Sequence, residues 1–381
     1  MSATKAHANS RNLSDVRRIV VKVGSSLLTD PVKGLANEKI AQLCAQLANL
    51  QKQGFEVILV SSGAVAEGCA RLGWHSRPDN VNDLQAAAAV GQMGLVQAYE
   101  SELAQYDLHT AMVMLTHDDL ANRQRYLNAR VTLSKLVGLG VIPIINENDT
   151  VATDEIRFGD NDTLAALVAN LLVAGLLIIV TDVDGLLDAD PKIHPQAKRI
   201  SQASANDPAL DQFPGESVGQ LGRGGMVTKL TAARLAARSG AHTVLVSGHQ
   251  PNSIEAAVAG ADVGTLLTAD ETLMTARKRW IAGQLRAKGD LILDAGASEA
   301  VRQRGVSLLA VGLQAVKGEF GRGDVVRLID PQGRVIGQGL SNYPSVEVAK
   351  LKGVNSEQFS QVIGYRGEDE LVHRDNLVLL D

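Results

Sequence analysis

Short apolar runs alternate with longer amphipathic segments from Arg18 to about Leu267. The short runs are rich in β-branched residues and almost continuously apolar, as expected of parallel strands covered on both faces. They predict strands at residues 19–23, 56–61, 111–115, 141–146, 177–181 and 243–247. The longer segments have apolar residues at helical spacing and predict helices at residues 37–53, 83–103, 119–136, 162–173 and 228–238. This alternation favours an α/β fold, a three-layer αβα sandwich around a mainly parallel sheet.

The pattern changes after residue 280, where short strand-like runs follow one another with little helical pattern between them. Strands are predicted at residues 290–294, 306–311, 324–329, 334–339 and 377–380, and helices only at residues 298–304 and 345–351. Turn sequences such as Asp-Pro-Gln-Gly at residues 330–333 separate the strands. We therefore expect a flexible N-terminal tail at residues 1–17, an α/β domain at 18–276, a linker at 277–286 and a small β-rich domain at 287–381.

Composition narrows the function classes. The 381 residues carry a formal net charge of −5 and only 3% aromatic residues, which does not favour binding to nucleic acid or to a membrane surface. The most apolar stretch, residues 164–180, is interrupted by Asn170 and Gly175 and barely approaches the ~18 residues of a membrane span. Cys44 and Cys69 form no paired metal spacing, and residues 1–18 lack the apolar core of a secretory signal. We expect a reduced, cytoplasmic setting.

Two glycine-rich stretches, each with a lysine, lie far apart in the chain. Residues 20–26 (Val-Val-Lys-Val-Gly-Ser-Ser) run from an apolar strand into a turn, and residues 221–229 (Leu-Gly-Arg-Gly-Gly-Met-Val-Thr-Lys) open a predicted helix. Glycines allow the backbone to approach a ligand, and the free amides of a helix N-terminus bind anions. Lys22 and Lys229 would add mobile positive charges, so the two loops predict a nucleotide held from both sides. A tight structural turn is the alternative for either loop alone, because neither has the P-loop spacing.

Polar segments also occur where the predicted parallel strands end, which is the edge at which open α/β sheets bind ligands. They are Lys22, Ser61-Ser62-Gly63-Ala64, Asn146-Glu147-Asn148-Asp149 and Thr181-Asp182-Val183-Asp184-Gly185. A fifth polar segment, at residues 158–162, leads into a predicted helix. Five such segments on one rim predict an active-site edge.

The residue types on this rim favour phosphoryl transfer to a carboxylate. The sequence offers no convincing Ser-His-Asp set, no His/Cys metal cluster and no obvious general base. A carboxylate acceptor is already ionised, so catalysis consists of positioning two anions and neutralising their charge. Lys22 and Lys229, with a nucleotide-bound magnesium ion, meet that requirement, and Asp162 could hold both lysines through charge-assisted hydrogen bonds. The alternative role for Asp162 is a helix N-cap.

The same segments resemble those of the glutamate 5-kinase (γ-glutamyl kinase) family, which has the amino acid kinase fold. They are residues 21–26, 61–64, 126–130 (Tyr-Leu-Asn-Ala-Arg), 145–149 (Ile-Asn-Glu-Asn-Asp), 159–162 (Gly-Asp-Asn-Asp) and 224–229. The region from residue 287 resembles a PUA domain, and the resemblance covers nearly the whole chain beyond the N-terminal tail. It implies ATP-dependent phosphorylation of the γ-carboxylate of L-glutamate to L-glutamyl 5-phosphate, the first step of proline synthesis.

The resemblance divides the site into a nucleotide half and a glutamate half. The catalytic residues predicted are Lys22, Lys229 and Asp162, and the glutamate-binding residues are Ser62, Asp149, Asn161 and Asn146. Asp149 is expected to pair with the α-ammonium group, and Ser62 and Asn161 to donate to carboxylates. The nucleotide-binding residues implied are Lys22, Thr181, Asp182, Arg223, Gly224, Gly225, Met226, Val227, Thr228 and Lys229. Arg223 and Val227 replace the threonine and serine usual in the family, so only contacts from the backbone and from Lys229 carry over unchanged.

The resemblance also implies partners. It implies ATP and nucleotide-bound Mg²⁺ as cofactors, with no metal site in the protein, and proline as an inhibitor. It also implies a homo-oligomer (dimer or tetramer) that channels its product to glutamate-5-semialdehyde dehydrogenase. Two alternatives stay open: a kinase for aspartate or acetylglutamate, and an RNA-binding or RNA-modifying protein, since PUA domains commonly bind RNA. The Asn-Glu-Asn-Asp motif and the PUA-like region count against the first. The slight excess of acidic over basic residues after residue 287 counts against the second.

Overall fold

The computed structural model of the chain describes residues 11–30, 34–151, 161–189, 194, 196–212, 225–270 and 287–380. Contacts within the chain divide it into two compact units, Met1–Leu273 and Met274–Asp381. An eight-stranded sheet organises the first unit, and a five-stranded sheet organises the second.

The sheet of the first unit is mainly parallel. In chain order the strands of this unit are β1 (Arg18–Val23), β2 (Thr29–Asp30), β3 (Gly34–Leu35), β4 (Glu56–Ser61), β5 (Thr110–Leu115), β6 (Ile142–Glu147), β7 (Leu176–Thr181), β8 (Gln202–Ser204), β9 (His242–Ser247) and β10 (Thr265–Thr268). Strands β2 and β3 form a separate hairpin, and the others lie in the order β5-β6-β4-β1-β7-β9-β10-β8. In the described chain these neighbours pair in parallel, except that β9 and β10 are antiparallel.

Helices cover both faces of this sheet. They are α1 (Ser25–Leu28), α2 (Asn37–Lys52), α3 (Ala64–Arg71), α4 (Val81–Ala104), α5 (His117–Ala121), α6 (Arg123–Gly138), α7 (Asn161–Leu172), α8 (Met226–Ala237) and α9 (Ser253–Val258). Successive strand residues point to opposite faces, so Ile19 and Val21 of β1 pack with α2, α4 and α9, whereas Val20 packs with α6, α7 and α8. All three side chains are fully buried, which stabilises the fold by roughly 1.5–3 kcal/mol each. The predicted three-layer αβα sandwich is confirmed.

The strand order reverses at β1, which lies between β4 on one side and β7 on the other. In an open α/β sheet, such a reversal leaves a crevice outside the carboxyl ends of the two central strands, where ligands bind. The carboxyl ends of β1, β4 and β7 are at Val23, Ser61 and Thr181. The fold therefore places the predicted polar rim at its topological switch point.

One predicted helix, residues 119–136, is in fact two, and the prediction of a continuous helix was wrong. Asn122 separates α5 from α6 with an extended backbone, φ −78° and ψ 118°. Its side chain accepts hydrogen bonds from the backbone N–H groups of Gln124 and Arg125, both at 3.1 Å. An asparagine that caps a new helix ends the previous one, because the cap residue leaves the helical conformation.

Helix α3, which is only 8 residues long, was not predicted. Small residues let it pack directly against α4. A Cβ atom on Gly68 of α3 would lie 1.7 Å from the carbonyl oxygen of Ala87, and one on Gly91 of α4 would lie 1.9 Å from that of Ala64. The backbones of the two helices thus approach more closely than side chains would allow. Helix α9 and the short strands β8 and β10 were also not predicted.

Two residues of the stretch predicted to be an N-terminal tail, Arg11 and Leu13, are buried, whereas Asn12, Ser14, Asp15 and Arg17 are exposed. Arg11 is 7% exposed, and its guanidinium donates to the carbonyl oxygens of Ser201, Val263 and Gly264 and to Asp262. Leu13 is buried in the core of the sandwich. A buried guanidinium whose two terminal nitrogens donate to several acceptors fixes the chain there.

The second unit is β-rich, as predicted. Its strands are β11 (Gly289–Leu293), β12 (Leu313–Gly318), β13 (Val325–Ile329), β14 (Val335–Leu340) and β15 (Leu377–Leu379), in the order β12-β11-β13-β14-β15. Helices α10 (Ala295–Arg304), α11 (Ser345–Leu351) and α12 (Phe359–Ile363) complete it. The predicted strand at residues 306–311 was wrong: Leu308 makes only an isolated bridge to Val372, and Ala310–Gly312 form a 3₁₀ turn before β12 begins.

The apolar stretch at residues 164–180 forms most of α7 and of β7. In the part of the chain that the structure describes, no helix is both long enough and apolar enough to cross a membrane.

Candidate active site

Three buried charged side chains meet at the carboxyl edge of the sheet. Lys22 lies on β1, Asp162 in the first turn of α7 and Lys229 in the first turn of α8, and the three residues are 6%, 1% and 7% exposed. Lys22 Nζ is 2.7 Å from Asp162 Oδ1, and Lys229 Nζ is 3.2 Å from Asp162 Oδ2. One carboxylate therefore bridges the two lysines that the sequence places in separate loops.

The charge balance of this triad favours an anionic ligand. Burial alone would raise the pKa of Asp162, but the ammonium groups of Lys22 and Lys229 and the hydrogen bonds from Lys22 and Thr228 lower it to about 2. The carboxylate is thus ionised at neutral pH. The triad itself contains two ammonium groups and one carboxylate, in a water-poor environment where electrostatic interactions are strong.

The start of α8 adds a neutral contact to the triad. The hydroxyl oxygen of Thr228 lies 2.9 Å from Asp162 Oδ2 and 2.8 Å from the carbonyl oxygen of Gly225, and its single proton is shared between them. Met226 opens the helix and packs on the core, whereas the Val227 side chain is 59% exposed. Arg223 and Gly224 lie outside the described residues. The N-terminus of α8, whose first amide groups have no acceptor within the helix, thus begins beside the lysines.

The first glycine turn leaves the approach to Lys22 open. Gly24 has φ −79°, a conformation that any residue can adopt, so backbone strain does not require glycine there. A Cβ atom on Gly24 would lie 3.6 Å from Lys22 Nζ. A larger side chain would therefore extend over the ammonium group, and glycine keeps that space for a ligand.

A chain of neutral side chains forms the other half of the rim. Asn161, the residue before Asp162, donates from Nδ2 towards Ser62 Oγ at 2.7 Å, Asn146 Oδ1 at 3.0 Å and the carbonyl oxygen of Ser61 at 3.2 Å. Asn146 Nδ2 donates in turn to Gln92 Oε1 at 2.8 Å. The structure thus brings Ser62, Asn146 and Asn161 together, next to the charged triad.

The remaining predicted residues lie along the same edge. Asp149 is half-buried, two residues beyond the end of β6. Thr181 ends β7, is 5% exposed, and donates from Oγ1 to Oδ1 of the exposed Asp182 at 3.1 Å. Thr181 and Asp182, at the end of β7, lie on the opposite side of β1 from β4 and β6. This arrangement is expected if the nucleotide and the amino acid bind on opposite sides of the switch point.

Sequence reasoning missed Gln92. It lies on α4 among apolar residues, one turn before Leu95 and two turns before Tyr99, both of which are fully buried against the sheet. A glutamine within the apolar stripe of a helix is the signal that could have found it, because a partly buried amide requires hydrogen-bond partners. Within the described residues, no group of three or more His, Cys, Asp and Glu side chains could hold a metal ion.

The chain is similar to known proteins over most of its length. The sequence pattern of the Amino acid kinase family matches residues 17–247, and that of the PUA domain matches residues 289–363. The chain is 56% identical over 370 residues to "Glutamate 5-kinase" of Thioalkalivibrio sulfidiphilus, an alignment that covers 97% of this chain and 99% of that protein. It is 56% identical to "Glutamate 5-kinase" of Nitrosococcus oceani, over 97% of this chain and 98% of that protein. The corresponding protein of Pseudomonas putida is 54% identical, over 97% and 99% of the two chains.

Proposed function

Because the chain belongs to the amino acid kinase family, and within it to the glutamate 5-kinases, we propose that it transfers the γ-phosphoryl group of ATP to the γ-carboxylate of L-glutamate. The products are ADP and the acyl phosphate L-glutamyl 5-phosphate. The observation that carries this proposal is the bridge from Asp162 to Lys22 and Lys229, because it presents two cations to phosphate oxygens at one edge of the sheet.

The chemistry requires little beyond this arrangement. The acceptor carboxylate is already ionised, so no base has to remove a proton from it. The barrier comes from bringing two anions together, and the positive charges of the two lysines lower it. Lys22 and Lys229 can therefore bind phosphate oxygens while Asp162, as a positioning residue, keeps both ammonium groups in place. Magnesium enters as part of the MgATP substrate.

The other half of the rim suits an amino acid. Asp149 supplies a negative charge for the α-ammonium group, while Ser62, Asn146 and Asn161 supply neutral hydrogen-bonding groups beside it. On this assignment the nucleotide is bound by Thr181, Asp182 and the loop from Arg223 to Lys229. The γ-carboxylate then lies between the two halves, close to the lysines.

Trapping the acyl phosphate with hydroxylamine tests the proposal. We expect hydroxamate to form when wild-type enzyme receives MgATP and L-glutamate, and to remain at background with aspartate or N-acetylglutamate. The Lys22→Ala variant, checked for cooperative melting, is the control for contaminating kinases. Turnover on aspartate or N-acetylglutamate that exceeds turnover on glutamate would contradict the proposed substrate.

We further propose that proline inhibits the enzyme as the end product of the pathway that this reaction begins. Proline also carries an α-carboxylate and an ammonium group, so it fits the groups that bind those parts of glutamate. Inhibition should be competitive with glutamate and not with ATP. The loop at residues 151–158, of which only the exposed Val151 is described, is the expected discriminator. Substitutions there should weaken proline more than glutamate; equal losses would show that the loop serves both ligands alike.

We assign the chemistry to the domain at residues 18–276 and leave none to residues 287–381, since every proposed site residue precedes the second domain. A chain that ends at residue 283 should melt cooperatively and retain glutamate-dependent turnover. Folded but inactive protein would show that the PUA-like region contributes to the site. A cytoplasmic homo-oligomer that passes its product to glutamate-5-semialdehyde dehydrogenase completes the proposal, and sedimentation with and without that enzyme tests it.

A further inference from the structure

A hydrogen-bonded chain of three amides runs from a helix on the face of the sheet into the glutamate half of the site. Gln92 of α4 accepts from Asn146 Nδ2 at 2.8 Å, and Asn146 Oδ1 accepts from Asn161 Nδ2 at 3.0 Å. Each side-chain amide can flip, which exchanges the positions of its oxygen and its nitrogen. A flip of one amide would reverse the direction of every hydrogen bond between the three.

Both ends of this chain contact groups that can only accept hydrogen bonds. At one end, Gln92 Nε2 lies 3.3 Å from the thioether sulfur of Met112 on β5. At the other end, Asn161 Nδ2 lies 3.2 Å from the carbonyl oxygen of Ser61. A thioether and a carbonyl have no proton to give, so each of them requires the NH₂ side of the neighbouring amide. The two ends therefore specify the same direction for the whole chain.

This direction determines what Asn161 offers to a ligand. Its two Nδ2 protons are shared among three protein acceptors, the carbonyl oxygen of Ser61, Ser62 Oγ and Asn146 Oδ1. The donors of Asn161 are thus occupied, and Oδ1 is the atom that it has left for a bound molecule. Ser62 accepts from Asn161, so its hydroxyl proton remains available to donate. Asn161 therefore acts as an acceptor and Ser62 as a donor, whereas the sequence analysis assigned donation to both.

We propose that Gln92 is a positioning residue that sets the amides of Asn146 and Asn161 so that Asn161 Oδ1 accepts a hydrogen bond from the α-ammonium group of the substrate. The proposal rests on the function proposed above, because it needs an amino acid in this half of the site. Asp149 and Asn161 then form the two acceptors for the ammonium group, and the Ser62 hydroxyl donates to a carboxylate.

Two substitutions of Gln92 separate orientation from packing. Gln92→Met keeps a side chain of similar length but removes the acceptor for Asn146, so the amide of Asn146 loses its fixed direction and only the carbonyl oxygen of Ser61 still orients Asn161. We expect the KM for glutamate to rise about tenfold and the KM for ATP to stay close to wild type, while the melting temperature falls by only a few degrees because one buried donor loses its partner. Gln92→Glu keeps an oxygen that accepts from Asn146 and should restore the KM for glutamate to within about threefold of wild type. Gln97→Met, on the exposed side of the same helix, is the matched control and should change none of these values.

Glutarate, which is glutamate without its amino group, tests the atom that Asn161 presents. If Asn161 Oδ1 receives the ammonium group, Gln92→Met should raise the KM for glutamate about tenfold and change the inhibition constant of glutarate less than about twofold. Equal weakening of glutamate and glutarate would overturn the proposal, and so would a Gln92→Glu variant as defective as Gln92→Met. A failure of the proposed function has a different signature, since the wild-type enzyme would then form no acyl phosphate from glutamate.

Discussion

The two halves of the rim are built from different kinds of side chain, although Asn161 and Asp162 are adjacent in the chain. The half proposed for the nucleotide contains three buried charges, and Asp162 lies within 3.2 Å of both lysine ammonium groups. The half proposed for the amino acid contains neutral amides and a hydroxyl, joined by hydrogen bonds of 2.7–3.2 Å. In the first turn of α7, Asp162 thus belongs to the charge cluster and Asn161, the residue before it, belongs to the amide chain.

This difference follows from what each half must distinguish. Phosphate oxygens during transfer carry diffuse negative charge, which buried cations stabilise regardless of which N–H points at which oxygen. An amino acid presents a donor and an acceptor a few ångströms apart, so its recognition depends on the direction of each protein dipole. We therefore expect substitutions in the charged half to affect stability and turnover, and substitutions in the amide half to affect the KM for glutamate.

The largest effect is expected for Asp162→Asn, which leaves two buried ammonium groups without their shared carboxylate. Removing one member of a buried ionic cluster costs about 3–5 kcal/mol, so the free energy of unfolding should fall by that amount at neutral pH. Urea unfolding monitored by circular dichroism measures the loss. A loss below about 1 kcal/mol would match an exposed ion pair rather than a buried one.

The pH dependence of the same pair of proteins sharpens this test. Because the folded-state pKa of Asp162 is lowered to about 2, its ionised form stabilises the fold above the unfolded pKa of about 4, and this contribution disappears as the pH falls towards 2. The difference in unfolding free energy between wild type and Asp162→Asn should therefore shrink over that range. A constant difference between pH 5 and pH 2.5 would contradict the assigned pKa.

Lys22→Ala and Lys229→Ala should each lower kcat by on the order of 10²-fold or more, because each removes a cation that stabilises the transferring phosphoryl group. Steady-state turnover of glutamate measures kcat. Lys198→Ala, which removes an exposed lysine outside the site, is the control. Near-normal kcat in either variant would remove that lysine from the catalytic set.

Asp149→Asn should raise the KM for glutamate on the order of 30-fold, since it keeps the size of the side chain and deletes the charge that pairs with the ammonium group. The KM for ATP should stay within about twofold of wild type. If the defect appears chiefly in the KM for ATP, Asp149 belongs to the nucleotide half.

The smallest effect is expected for Thr228→Val, which removes the hydroxyl that donates to Asp162 but keeps the shape of the side chain. We expect kcat to fall about fivefold, the cost of one hydrogen bond. Thr231→Val, an exposed threonine about one turn later in the same helix, should leave kcat unchanged. Equal losses in the two variants would show that the Thr228 hydroxyl has no specific role.

The sequence predicted most of the first unit because its strands are continuously apolar; β4 occurs at the predicted residues, 56–61. The prediction failed where packing or capping determines an element. Helix α3, which packs through small residues, was not predicted, and the capping side chain of Asn122 divides a predicted helix in two. The apolar run at residues 306–311 predicts a strand, but Leu309 and Val311 are exposed and Leu308 makes only an isolated bridge.

Prediction of the site from the sequence has the same limit. Lys22, Asp162 and Lys229 could be predicted to meet, because glycine loops and strand ends mark the ligand edge of an α/β sheet. Gln92 and the direction of the amide chain could not, since they depend on Met112 and Ser61 as acceptors at its two ends. Sequence spacing carries no information on which atom of an amide faces a neighbour.

The affinity of the Lys229→Ala protein for glutamate tests the division between the two halves most directly. Calorimetric titration of glutamate in the absence of ATP should give a dissociation constant within about twofold of wild type, although turnover has fallen by on the order of 10²-fold. This result would show that the charged half performs the transfer while the amide half binds the amino acid. A loss of glutamate affinity that parallels the loss of turnover would contradict that division.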